Sequence, residues 1–106
     1  MEKYIVILRN KAKGTLTTEL LHAHINHIKR LKQEDVLFLS GPFKNNDGAL
    51  LIFEANSYKE AEGYLLQDPM IIEKYYEDYD IYELIEANES NNFLMEDVQT
   101  KLNLRQ

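Results

Sequence analysis

Three histidines, His22, His24 and His27, crowd into one short stretch that reads as helix. Imidazole titrates nearest to neutral pH of the ordinary side chains, so each is a candidate general base. They are not equivalent. On a helical wheel His24 falls at the centre of the apolar stripe of Leu20, Leu21, Ile28 and Leu31, His27 at its border roughly 60° away, and His22 on the solvent side. Helical metal ligands must share a face, and His22 does not share one with the others, so no metal is expected. An imidazole on a half-buried face needs a partner, because an unsatisfied buried polar group costs roughly 1–3 kcal/mol. Two readings stay open for His24: a core histidine bonded to a backbone carbonyl, and a functional base.

Asp68, followed by Pro69, is the second candidate. A carboxylate held at a helix end can accept one imidazole N–H and leave the other ring nitrogen as the basic one. The plain alternative is a helix-ending Asp, since Asp-Pro is a common terminator. Ser40-Gly41-Pro42 could present a hydroxyl and exposed amides to a ligand, or could simply stop a strand. Tyr75, Tyr76, Tyr79 and Tyr82 gather aromatic rings where core or interface packing is the default and a ligand wall the alternative. Glu73, Glu77, Asp78, Asp80 and Glu83 read as a solvated face. There is no G-x-S-x-G, no phosphate loop and no dinucleotide fingerprint, so any reaction is expected to need no cofactor.

The elements that must position these residues follow from periodicity and turn chemistry. Tyr4-Ile5-Val6-Ile7-Leu8 is a short, β-branched apolar run suited to a buried strand, with a polar loop from Arg9 to Gly14. A first helix runs from Thr17 or Thr18 to about Glu34, capped by a Thr hydroxyl. Val36 to Leu39 is a second strand stopped by Gly41-Pro42, and Gly48 to Glu54 a third, joined through the Asn45-Asn46-Asp47-Gly48 turn. Ser57 and Glu60 form a capping box for a second helix reaching about Gln67, and Pro69 leaves Asp68 at its end. Met70 to Tyr75 can add one turn, and Tyr79 to Ile85 is a fourth strand. The order is βαββαβ, an α+β, ferredoxin-like pattern with two helices on one sheet face.

Residues 1–87 make one domain, and residues 88–106 a C-terminal extension in which Asn88 to Asn92 is a polar linker. In that tail residues 93–104 carry Leu94, Val98 and Leu102 at helical spacing, one apolar stripe on a short helix too weak to stand alone, so it must dock, with the partner copy favoured. The uncovered sheet face predicts a homodimer with Tyr4 to Leu8 and Leu50 to Phe53 near the contact.

Composition narrows the function classes. The chain has 106 residues, 44% hydrophobic, with 18 Asp and Glu against 12 Lys and Arg and a formal charge of −6. It holds no Cys, which excludes thiolate chemistry and fits a reducing, cytoplasmic compartment. The apolar run at the N-terminus is too short for a signal peptide, and no segment approaches a membrane span. The acidic balance disfavours nucleic acid, the only Lys/Arg cluster being Lys29-Arg30-Lys32.

Taken together, His24-Ile25 in the first helix, the strand entering Leu39-Ser40-Gly41-Pro42, the Gly48 to Glu54 strand and Asp68-Pro69 resemble the YCII-related (YciI-like) family over about residues 1–86. The resemblance implies a dimeric α/β barrel of ferredoxin-like subunits, a cleft between sheet and helix, and a His–Asp pair that falls on His24 and Asp68. It also implies dehydrochlorination or related proton transfer on hydroxylated aromatics. The family often carries a small residue, commonly Gly, where Lys74 stands, and the tail from Asn88 has no obvious counterpart in it. Two functions compete on this reading. One is a cofactor-free lyase- or isomerase-like enzyme with His24 as base and His24 largely buried within hydrogen-bond reach of Asp68; the other is a non-catalytic small-molecule-binding or regulatory dimer.

Overall fold

The apolar run that opens the chain becomes the middle of a four-stranded sheet. The computed structural model, which describes residues 1–105, places β1 at Glu2–Lys11, α1 at Thr18–Gln33, β2 at Leu37–Pro42, β3 at Ala49–Ala55, α2 at Tyr58–Leu66, α3 at Pro69–Ile72, β4 at Tyr76–Leu84 and α4 at Val98–Asn103. Between β4 and α4 lies one 3-10 segment, Glu89–Leu94. Strand order is β2-β3-β1-β4 with every neighbouring pair antiparallel, so the expected ferredoxin-like βαββαβ pattern is the one observed, with α3 added before β4.

Strand alternation sorts the apolar residues onto two faces. Tyr4, Val6 and Leu8 of β1, Leu51 and Phe53 of β3 and Ile81 of β4 are buried and form one core with Leu31 of α1, Ala61 and Leu65 of α2 and Met70 of α3. Their neighbours Ile5, Ile7, Leu50 and Ile52 point the other way and are only half-buried. Cross-strand register puts Ile5 opposite both Ile52 and Tyr82, so these belong to one continuous apolar face that no helix covers.

Five features differ from the sequence reading. Arg9 to Lys11 is strand rather than loop, because β4 starts at Tyr76 instead of Tyr79 and gives Arg9 and Lys11 the partners Asp78 and Tyr76. Gly41-Pro42 does not stop β2. The strand lies at the sheet edge, where proline's missing donor costs no ladder bond, and Pro42 pairs with Ala49. The Ser57–Glu60 capping box is half formed: Ser57 Oγ accepts from the Glu60 amide at 3.1 Å, but the Glu60 carboxylate reaches the amide of Asn56 instead of Ser57. Asn88 to Asn92 is no extended linker either, since Asn88 and Asn91 exchange side-chain to backbone hydrogen bonds and begin the 3-10 turn. Of the predicted tail helix only residues 98–103 are α-helical, and Asn92, Phe93 and Leu94 take left-handed φ angles of 51°, 52° and 61°.

Both helices that flank the site end alike. After α1 the Asp35 amide donates to Lys32 and the Val36 amide to Leu31; after α3 the Lys74 amide donates to Ile71 and the Tyr75 amide to Met70. These are Schellman closures, which require a left-handed residue and favour glycine there. Asp35 (φ 59°) and Lys74 (φ 57°) fill those positions. In the β2–β3 turn, Gly48 is needed for a different reason, because a Cβ there would lie 2.2 Å from the Leu8 carbonyl oxygen. Among the described residues no helix is long and apolar enough to cross a membrane.

Candidate active site

Asp68 is held between two helices. Pro69 fixes its own φ at the first position of α3 and keeps Asp68 extended, so Asp68 serves as the cap of α3 and not as the end of α2. Its Oδ1 accepts the Met70 amide at 3.0 Å, and the side chain is 1% exposed. A carboxylate so buried needs further donors, and α1 supplies one. His24 Nδ1 stands 2.9 Å from Oδ1 and 3.1 Å from Oδ2. An ionised carboxylate only accepts, so Nδ1 carries the proton and Nε2 the free lone pair.

The His24 side chain, 22% exposed, lines a cavity of about 430 Å³ between α1 and the sheet. Leu8 and Leu51 contribute to its sheet side, Ile28 to its helix side, and Met70, Tyr75 and Tyr76 to its α3–β4 side. Ser40, Gly41 and Pro42 line it too, so the structure brings together at one cavity the three β2 residues and the histidine selected from sequence. Tyr75 and Tyr76 meet edge to face with centroids 5.1 Å apart. Burial, reinforced by neighbouring Tyr75 and Asp68, raises the Tyr76 phenol above its ordinary value and keeps it protonated.

His27 is where the sequence reading is corrected. His24 is half-buried rather than largely buried, while His27, placed at the border of the stripe, is 5% exposed. Its Nε2 donates to the Tyr64 carbonyl of α2 at 3.1 Å, and Nδ1 accepts from Arg30 Nη2 at 3.0 Å. The carbonyl-bonded core histidine is thus His27. The reason is that the Tyr64 carbonyl of α2 stands across from His27 and takes its ring nitrogen, while the cavity opens beneath His24. Burial lowers the His27 pKa, with Arg30 and His24 adding to the effect and Asp68 and the Tyr64 carbonyl opposing it. His22 is exposed and takes no part.

Sequence reasoning missed the two lysines that line the cavity, Lys11 and Lys29. Lys11 fell in the supposed loop, and the extension of β1 is what carries it to the cavity. Lys29 was read only as part of a surface cluster.

Residues 3–85 match the family model of the YCII-related domain. The chain belongs to the YCII-related family. Among solved structures it is similar to 5-chloro-2-hydroxyhydroquinone dehydrochlorinase (TftG) from Burkholderia phenoliruptrix AC1100 in complex with 2,5-dihydroxybenzoquinone, with a TM-score of 0.63 and 20% identity over 82% of this chain and 97% of that one. That likeness shows a shared fold. No protein of curated function matches the chain in sequence.

Proposed function

We propose that this protein is a cofactor-free enzyme in which His24, oriented by Asp68, moves a proton on a small aromatic or carbonyl-bearing molecule. The observation that carries the reading is the buried Asp68 carboxylate on Nδ1 of a histidine whose ring lines an apolar cavity. Nε2 takes a proton from a substrate C–H or O–H, and the electron pair left behind enters the adjacent π-system. That pair then expels a leaving group in an elimination, or is reprotonated elsewhere by the same imidazolium in an isomerisation. Ser40, Gly41 and Pro42 form the wall that fits the substrate against α1. TftG, a dehydrochlorinase of the same fold bound to a small quinone, lends support at the level of reaction class. A screen of hydroxylated and chlorinated aromatics and small ketones tests the reading: turnover should appear for the native chain and fall at least about a hundredfold in His24→Ala, the usual scale of a general base. Full activity in that variant ends the proposal. Binding without turnover across the screen favours the competing reading, a ligand-binding or regulatory protein, which the sparse polar lining of the cavity also accommodates.

We infer further that the protein works as a homodimer, in a reducing compartment such as the cytoplasm, as its lack of Cys suggests. The uncovered sheet face of Ile5, Ile7, Leu50 and Ile52 supports this, flanked by Leu39 and Tyr82 at 52% and 57% exposure. The extension from residue 88 is proposed to clasp the second copy. Neither its 3-10 segment nor α4 has a buried residue, Val98 and Leu102 are 71% and 79% exposed, and helices this short are unstable unless docked. Truncation after Ala87 should weaken dimerisation, measured by sedimentation, while leaving the circular dichroism of the 1–87 unit intact. Unchanged dissociation would refute the clasp.

A further inference from the structure

The charge lining the cavity runs against the charge of the chain. With 18 Asp and Glu to 12 Lys and Arg, an arbitrary patch of this surface should be acidic. Yet no Asp or Glu lines the cavity, while Lys11, Lys29 and His24 all do. The two lysines come from different walls, Lys11 from the last position of β1 and Lys29 from α1.

Neither has an ion-pair partner among the described residues, in contrast to Lys3 with Glu86 and Arg9 with Asp80. Lys11 is held by neutral groups: its Nζ donates to Asn46 Oδ1 at 3.0 Å and sits 5.8 Å from the centre of the Tyr76 ring. Lys29 is exposed and Lys11 half-buried, so both charges stand where the apolar cavity meets solvent and draw an incoming anion to it.

We propose that the cavity selects organic anions, with Lys11 and Lys29 as the specificity residues. Its occupant has a flat apolar body the size of one ring and an ionised oxygen, as carboxylate, phenolate or enolate. The lysines hold that oxygen, and the body packs against Ile28, Leu51 and Tyr76. This orientation keeps the charged end off the His24 lone pair and leaves an uncharged C–H or O–H for Nε2. The inference rests on the cavity being the reaction site, yet it is tested by binding alone.

Benzoate and benzamide share a shape and differ in charge, and 2,5-dihydroxybenzoquinone supplies a larger, doubly acidic ring. Titrations of the full chain, followed by tyrosine fluorescence and the His24 ring signals in NMR, should show benzoate and the quinone binding at least about tenfold more tightly than benzamide, as expected when one charge-assisted hydrogen bond is gained. Added salt should erode the preference. The double substitution Lys11→Met with Lys29→Met should abolish it, leaving benzamide unaffected. His24→Gln should preserve it, so a charge preference that survives there while turnover is absent separates this inference from the proton-transfer reading. Equal binding of benzoate and benzamide, a preference that persists in the double lysine variant, or no binding of either anion at millimolar concentration overturns the proposal.

Discussion

His24 and His27 stand about one turn apart on α1 and meet opposite surroundings. On the cavity side the ring keeps one nitrogen on a buried carboxylate and the other free. On the α2 side both nitrogens are committed, one donating to a carbonyl and one accepting from a guanidinium. Residue type is identical and secondary structure is continuous, so the difference lies in the groups each ring meets: Asp68 at the start of α3 for His24, and for His27 the Tyr64 carbonyl of α2 together with Arg30 of α1 itself. A carboxylate across from Nδ1 leaves the other nitrogen of His24 open, whereas a carbonyl and an arginine occupy both nitrogens of His27 and tie α1 to α2.

The strongest way to break the comparison is to remove its distinguishing partner. Asp68→Ala should destabilise the fold by about 2–4 kcal/mol, because the Met70 amide and His24 Nδ1 both lose a buried acceptor and a cavity is left. Asp68→Asn keeps the volume and costs less, but its amide lets the His24 ring reverse tautomer, visible in imidazole nitrogen shifts. Urea unfolding that places Asp68→Ala within about 0.5 kcal/mol of native would show that the carboxylate supports nothing.

Next in size is His27→Gln, expected to cost about 1–3 kcal/mol through imperfect replacement of two buried hydrogen bonds. Here pH sharpens the contrast. The folded pKa of His27 lies below its ordinary 6.5, so as pH falls below that value the unfolded chain takes up a proton that the folded chain refuses. More protons bound when unfolded means stability that is full above 6.5 and declines as pH drops toward the folded pKa. His27→Gln should flatten that part of the curve. An unchanged acid slope would mean that His27 is not held neutral.

The smallest expected effect lies at the far end of α3. Lys74→Gly relieves a left-handed backbone at the Schellman closure and should stabilise by up to about 1 kcal/mol, the glycine's greater unfolded freedom offsetting part of the gain. A thermal midpoint lower than native would show that the lysine side chain contributes contacts of its own.

Much of this was legible from sequence because the signals were local. The β-branched run Tyr4 to Leu8, the capping Thr17 and the Pro69 break each specify geometry within a few residues, and the order of the elements yields the fold, although the turn between β2 and β3 falls at Lys44 and Asn45 and not at Asp47-Gly48. His24 and Asp68 were recoverable because one lies on an apolar stripe and the other is pinned by a proline. His27 was misjudged because a wheel shows only the helix's own apolar arc and not the Tyr64 carbonyl that stands across from it. The length of β1 depended on where β4 begins, which is a pairing property and cannot be read from either strand alone. Lys11 was hidden by the same error.

The edges of the sheet carry one more consequence. β2 is kinked by a register shift between Leu37 and Leu39 and ends in Pro42, which offers no donor to an incoming strand. β4, the opposite edge, carries Glu77, Asp78, Asp80 and Glu83 within nine residues, so two such strands laid side by side would repel. One border is protected by shape and the other by charge. Ribbon-like growth from chain to chain is thereby blocked at both ends, and an apolar face that needs covering can be covered without opening a route to fibres.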